Sequence, residues 1–327
     1  MNRFTEAIRV IARAASRMHI EAPWETRMTT LYQAHEQFLC HCQSAINLSS
    51  HTLRAYAGDL NDFQGFFGGQ STLAAIGKEN LRQYILHLRT HRALKESTIK
   101  RRIASLKLLF RWARQEGMLG DNPFDTLNER IRLPKNLPRA MGRGDASRLR
   151  KAIALKGHED YDALCEKTAV CLLLETGIRV GELASIQIND VSLIDSRISI
   201  HGKGNRQRFA YLISMAAYDS LQNYLSKRRQ CAANTERLFI TQTGRVMTPP
   251  LVRKALRRIT TRAGIETHIT PHMLRHTCAT QWLEDGLDIR YVQKLLGHHS
   301  ISTTEIYTQV TDQGLRKALS RIERGRE

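Results

Sequence analysis

Three short segments of this chain hold residue types able to bind and attack an anion. The first, Thr176-Gly177-Ile178-Arg179-Val180-Gly181-Glu182-Leu183, sets Arg179 just past a helix end. The second, His272-Met273-Leu274-Arg275-His276, follows the helix-opening pair Thr270-Pro271. The third, Leu295-Leu296-Gly297-His298, is followed nine residues after His298 by Tyr307. At about 100° per residue, His272, Arg275 and His276 share one helical face, with Leu274 and Cys278 turned away. That face sits on the first turns of its helix, where unpaired backbone N–H groups favour an anion. Ser302 and Glu305 form a capping box, which holds Tyr307 on a short helix at a defined angle. Taken singly these are ordinary residues: an arginine near a helix end usually lies on the surface, and a tyrosine usually packs half-buried. Their order, with a Gly202-Lys203-Gly204-Asn205 hairpin tip between the first two, is what points to one site.

The elements that must position these residues follow from hydrophobic periodicity. Residues 28–128 read as all helical, with three-to-four spacing in Leu31, His35, Phe38, Leu39 and again in Leu53, Tyr56, Leu60, Phe63, Phe66, Phe67. Further stripes run through Leu81, Ile85, Leu88 and through Ile99, Ile103, Leu106, Leu109, Phe110, Ala113. Ser50 is the expected cap of the second helix. The polar faces carry Arg82, Arg89, Lys100, Arg101, Arg102, Lys107 and Arg111, so four helices make a small bundle with basic faces. Asn122-Pro123, Pro134-Lys135, Pro138-Arg139, Gly142 and Gly144 break the periodicity, and residues 129–145 read as a basic linker that tracks a phosphate backbone. Residues 146–327 are mixed. A helix from Asp162 to Thr176 stops at Gly177, strands Arg197 to His201 and Gln207 to Leu212 flank the hairpin tip, and helices follow Ser214, Thr248-Pro249, Thr270-Pro271 and Asp288. Residues 1–27 form an amphipathic extension, with Phe4, Ile8, Ile11 and Met18 near one face. The fold class is therefore mainly α with a small antiparallel β-sheet.

Charge narrows the partner. Lys plus Arg number 50 against 31 Asp plus Glu in 327 residues, a formal net charge of +19. Such an excess repels itself in the folded state and calls for a polyanion. From Glu129 to Lys156 nine basic residues face only Glu129 and Asp145 on the acidic side before Glu159. No apolar run approaches a membrane span, and Arg3, Arg9, Arg13 and Arg17 interrupt the first segment in a way no signal peptide does. The six cysteines show no CxxC pairing, which suits a reducing compartment. His35, Cys40, His41 and Cys42 lack a second ligand pair, so no metal site is expected.

On these motifs the chain resembles the tyrosine recombinases, or phage-integrase family, and most of all their compact Xer-like bacterial members. The resemblance covers residues 28 to about 325. It implies a two-domain C-shaped clamp, with a helical core-binding domain and a mixed catalytic domain. It implies catalytic roles for Arg179, Lys203, His272, Arg275, His298 and the nucleophile Tyr307, with Glu182 in support. His276 fits the pattern without a catalytic role, and His299 is set aside because the motif residue directly follows Leu-Gly. By this resemblance the partner is double-stranded DNA with inverted half-sites, bound by a homotetramer on two sites with a dimer on each, possible accessory proteins aside. The setting is the bacterial cytoplasm, at the nucleoid. A C-terminal helix capped by Asp312, with Leu315, Ala318, Leu319 and Ile322 on one face, is exchanged between protomers.

The chemistry suits the residues. Negative charge builds on the nonbridging oxygens of an attacked phosphate, and two guanidiniums grip those oxygens at any working pH. His298 adds a hydrogen bond, His272 accepts the phenol proton, and Lys203 protonates the departing 5′ oxygen unless it is only a phosphate contact. One phosphodiester is exchanged for another, so no ATP or other cofactor is expected, and no GxxxxGK[ST] pattern occurs. Arg101, Arg102, Lys135, Arg139 and Arg143 are the expected DNA contacts. A type IB topoisomerase-like relaxing enzyme, a DNA-binding regulator on the same scaffold and a sequence-independent RNA-binding protein are the alternatives. The first would relax supercoils without recombinant product, the second would lack an arginine or the tyrosine, and the third leaves the ordered motifs unexplained.

Overall fold

The computed structural model describes residues 29–46, 48–127, 140–154, 160–202, 207–231 and 235–297. The chain divides into two compact units, Met1–Lys135 and Asn136–Glu327. It is mainly helical, and its described strands form one antiparallel sheet of three.

In the first unit, helices α1 (Leu31–Ser44), α2 (Ser50–Phe67), α3 (Lys78–Thr90) and α4 (Glu96–Gln115) surround an apolar core. The cap of α2 is Ser49 and not Ser50: Ser49 Oγ accepts from the Thr52 N–H, and Ser50 is already helical. Adjacent serines offer the same hydroxyl, and only the extended backbone of Ser49 aims it at the right amide. α4 turns Ile99, Ile103, Leu106, Leu109, Phe110 and Ala113 inward, as the periodicity predicts. Phe63 packs edge-on against Tyr84 and Phe110, with centroids 5.0 and 6.2 Å away. The polar face of α4 is not merely solvated. Arg101 and Arg102 pair with Asp59 and Asp62 of α2, Ser105 donates to Asp59 at 3.0 Å, and Tyr84 donates to Asp62 at 2.9 Å.

The second unit holds α5 (Arg143–Ala154), α6 (Tyr161–Thr176) and α7 (Val180–Ser185). They are followed by β1 (Val191–Ser192), β2 (Arg197–His201), β3 (Gln207–Tyr211), α8 (Met215–Arg228), α9 (Pro249–Arg262), α10 (Pro271–Glu284) and α11 (Ile289–Leu296). α6 is buried all round from Thr168 to Leu174, with α8, α9 and α10 packed on it, as a helix without a polar stripe must be. It ends where Gly177 turns left-handed at φ +62°. In the hairpin Ile198 faces Ala210 and Ile200 faces Arg208. Thr270 caps α10 by accepting from the Met273 N–H, whereas the Thr248 side chain makes no capping bond and α9 starts on Pro249 alone.

The end of the segment read as linker belongs to the second unit. α5 begins at Arg143, the Ala146 N–H bonds to the Gly142 carbonyl, and buried Met141 donates its N–H to Thr277 Oγ1 at 2.8 Å. Gly142 and Gly144 thus mark a helix start and not a flexible tether. No helix among the described residues is long and apolar enough to cross a membrane.

Asp59, 3% exposed, receives two guanidiniums and a hydroxyl, whereas Glu79 makes one solvent-exposed pair with Arg82. Asp59→Ala is therefore expected to cost ~3 kcal/mol in urea unfolding, and Glu79→Ala under ~1 kcal/mol. Equal losses would show that the Asp59 network contributes no more than a surface pair.

Candidate active site

The site is built on helix ends. Gly177 closes α6, and Arg179, two residues on, is the N-cap of α7. Glu182 lies one turn into α7, where Oε2 accepts from the Arg179 N–H at 2.8 Å and Oε1 accepts from Arg179 Nη1 at 2.9 Å. On its other side, Arg208 of β3 donates Nη1 to Oε1 at 3.0 Å and Nη2 to Oε2 at 2.7 Å. Burial by itself would raise the Glu182 carboxyl, but the hydrogen bonds from Arg208 and the Arg179 amide, with both guanidinium charges, hold it below the ordinary carboxylate range. Glu182 thus binds fewer protons in the folded than in the unfolded chain at mildly acid pH. Its contribution to stability is complete above the ordinary range and is lost as pH falls through the lowered value.

Arg275 is 2% exposed. It donates Nη1 to the Gly177 carbonyl and Nη2 to the Leu296 carbonyl, both at 2.7 Å. These carbonyls end α6 and α11, so one guanidinium ties the segment leading to Arg179 to the segment leading to His298. The α10 face that carries His272, Arg275 and His276 differs in exposure along its length. His272 is exposed, while every residue from Leu274 to Ala279 is buried. The reason is packing: α10 lies between α6 and α11 and contacts both.

Arg179, with 47% of its side chain exposed, borders an open groove of about 1730 Å³. Arg208, Lys294, His201 and the aromatic rings of Phe209, Tyr211 and Tyr291 share its lining. His201 Nε2 lies 2.9 Å from Asp190 Oδ1. A cationic groove of this kind can seat a phosphodiester, with Arg179 as its fixed, forked donor. His272 is outside the described lining. Lys203, His298 and Tyr307 lie outside the described residues, as do Lys135, Arg139, residues 1–27 and the expected C-terminal helix. Arg101 is half exposed beside Asp59, Arg102 is 14% exposed and held by Asp62, and Arg143 pairs with Glu284 at 2.9 Å. No three metal-ligating side chains gather among the described residues, where His35 Nδ1 lies 3.2 Å from Gln64 Oε1 and burial pushes the Cys42 thiol up to about 11.

Arg208 belongs to none of the three motif segments. Its signal is the hairpin register, because alternation from Ile198 and Ile200 across to Ala210 places a charge at an inward position.

Comparisons with known proteins cover both units. The sequence profile of the phage integrase family matches residues 146–314, and that of the phage integrase N-terminal SAM-like domain matches residues 35–117. A curated tyrosine recombinase of Agathobacter rectalis is 32% identical over 289 residues, 86% of this chain and 94% of its own. The tyrosine recombinase XerC of Listeria innocua is 34% identical over 302 residues, 88% of this chain and 97% of its own. The crystal structure of the XerH site-specific recombinase bound to palindromic difH substrate shares the fold. Its TM-score is 0.71 at 24% identity, covering 88% of this chain and 85% of that one.

Arg275 meets the two carbonyls with the two ends of one rigid fork, a geometry that a lysine ammonium does not reproduce. Arg275→Lys is expected to lower the unfolding free energy of the second unit by ~2 kcal/mol, read in urea. No loss would mean that the two helix ends are held by something else.

Proposed function

The chain belongs to the phage integrase family of tyrosine recombinases, and on that footing we propose that it recombines double-stranded DNA at specific sites through a 3′-phosphotyrosyl intermediate and a Holliday junction. The observation that carries this reading is the cationic groove bordered by Arg179, whose guanidinium is set by Glu182 and Arg208. The groove lies within the same 146–314 match that includes His298 and Tyr307. Integration and excision of a mobile element, or resolution of a replicon, are the tasks that fit.

In the proposed reaction, the Tyr307 oxygen attacks the phosphorus as His272 takes the phenol proton. The 5′ oxygen departs with a proton from Lys203. Arg179, Arg275 and His298 stabilise the charge on the nonbridging oxygens. A 5′ hydroxyl from the partner strand then reverses the step, displacing Tyr307 and restoring a phosphodiester.

The palindromic substrate of the XerH complex supports inverted half-sites and a dimer on each site. Two such dimers form the working tetramer, joined by exchange of the segment from Asp312 onward. The net charge of +19 favours nucleic acid on electrostatic grounds, with Arg101, Lys135, Arg139 and Arg143 as backbone contacts and Arg102 contributing mainly through its pair with Asp62. The reaction belongs to the bacterial cytoplasm, where the nucleoid presents its substrate.

A nicked duplex selected by the full chain from a randomised pool tests the reading. The wild type should form SDS-resistant adducts, Tyr307→Phe should form none while binding the duplex as before, and Arg179→Ala should slow adduct formation at least ~10²-fold. Normal adduct yield from Tyr307→Phe would remove the nucleophile assignment. Relaxation of supercoils without joined recombinants would point to a topoisomerase.

A further inference from the structure

Arg208 takes no step in the reaction above, yet its guanidinium bonds to two separate parts of the groove wall. Only 13% of its side chain is exposed. Its guanidinium makes a two-pronged contact with Glu182 and donates Nε to the Leu295 carbonyl at 2.9 Å. Gly297 closes over it at φ +68°, and a Cβ there would stand 3.0 Å from Arg208 Cδ and 3.2 Å from Nε. One side chain therefore touches the carboxylate that holds Arg179, the last turn of α11, and the glycine before His298.

We propose that Arg208 is a positioning residue for strand cleavage, fixing the Arg179 guanidinium through Glu182 and the approach to His298 through Leu295 and Gly297. The inference rests on the recombinase reading. Without Arg208, Arg179 and Glu182 are a single i,i+3 pair, with Arg179 half exposed. Such a pair holds two long side chains loosely. The two-pronged bond from a largely shielded guanidinium fixes both carboxylate oxygens, and the backbone and side-chain bonds from Arg179 then have one geometry. This matters because a donor that stabilises developing charge must be in place before the charge appears.

The charged groups near Glu182 also set the pH response. Arg179 and Arg208 bond to it directly, while His201 and Lys294 border the same groove. Removing Arg208 leaves Glu182 buried with half its counter-charge. Glu182 then takes up its proton at higher pH and releases Arg179.

The test is single-turnover adduct formation by the full chain on the selected nicked duplex, followed against pH. Arg208→Met should slow the step by ~10²-fold, the loss expected from a misplacement of about 1 Å. Duplex affinity in a Tyr307→Phe background should stay unchanged. The acid limb of the rate should move to higher pH, and Arg208→Met combined with Glu182→Gln should be no slower than the slower single variant. Arg208→Lys, which keeps the charge without the fork, should fall between, and it carries the pH and additivity measurements if Arg208→Met fails to fold. An unchanged pH profile with additive losses would overturn the inference in favour of a purely structural role. A wild type that cleaves no faster than Arg208→Met would overturn it while leaving the recombinase reading intact. A wild type that forms no adduct at all would overturn that reading, and this inference with it.

Discussion

A guanidinium buried between two helix C-termini is the constraint on which the second unit depends. Moving a lone charge out of water costs several kcal/mol, so the burial of Arg275 needs strong compensation. The ends of α6 and α11 supply it, because each presents carbonyls without intrahelical donors and carries the negative end of a helix dipole. Without donors between them, the two helix ends would bury carbonyls that have no partner. Gly177 and Gly297 complete the arrangement. Both are left-handed, and a side chain on Gly177 would come within 3.0 Å of Leu296 Cδ2 and 3.3 Å of Cys278 Sγ. Arg179 and His298 follow these glycines by two residues and one residue, so the placement of the motif residues begins with the placement of the helix ends.

Three arginines share the work unequally. Arg275 and Arg208 spend their donors on backbone and on Glu182 and are nearly out of solvent, whereas Arg179 is left half exposed at the groove. A single carboxylate between Arg179 and Arg208 leaves a net positive charge at the surface where an anion can use it. The first unit shows the same device in another form, with Asp59 and Asp62 ordering Arg101 and Arg102 along α4. In both units a carboxylate converts a flexible arginine into an oriented one, at the cost of part of its charge.

Much of this was legible in the sequence, and the gaps share a cause. Periodicity states whether a residue faces in or out, which sufficed for the α4 stripe, for the stop at Gly177 and for the strands Arg197–His201 and Gln207–Tyr211. It does not state what a residue meets on the inside. Hence periodicity groups Arg275 with exposed His272 although α10 is buried from Leu274 to Ala279, and it puts Arg102 on a DNA-facing basic surface although Asp62 holds it. The glycines at 142 and 144 look like linker because the burial of Met141 against Thr277 is a contact between residues far apart in sequence. Ser49 and Ser50 differ only in backbone angle, which neither residue type dictates.

The hairpin shows how one register serves two surfaces. Ile198, Ile200, Arg208 and Ala210 lie on one face, so Phe209 and Tyr211 must lie on the other, and Arg208 borders the groove together with both rings. The Arg197 guanidinium stands 4.5 Å from the Phe209 ring centroid, close enough for a cation–π contact that steadies the outward face. A slip of one residue would exchange Phe209 for Arg208, sending a ring toward Glu182 and a charge into solvent. Such a slip would break the bonds to Glu182 and Leu295 together, which penalises it far more than the loss of one ladder bond. Arg208 therefore fixes the register of β3, and the register in turn decides which side chains the hairpin offers to the groove.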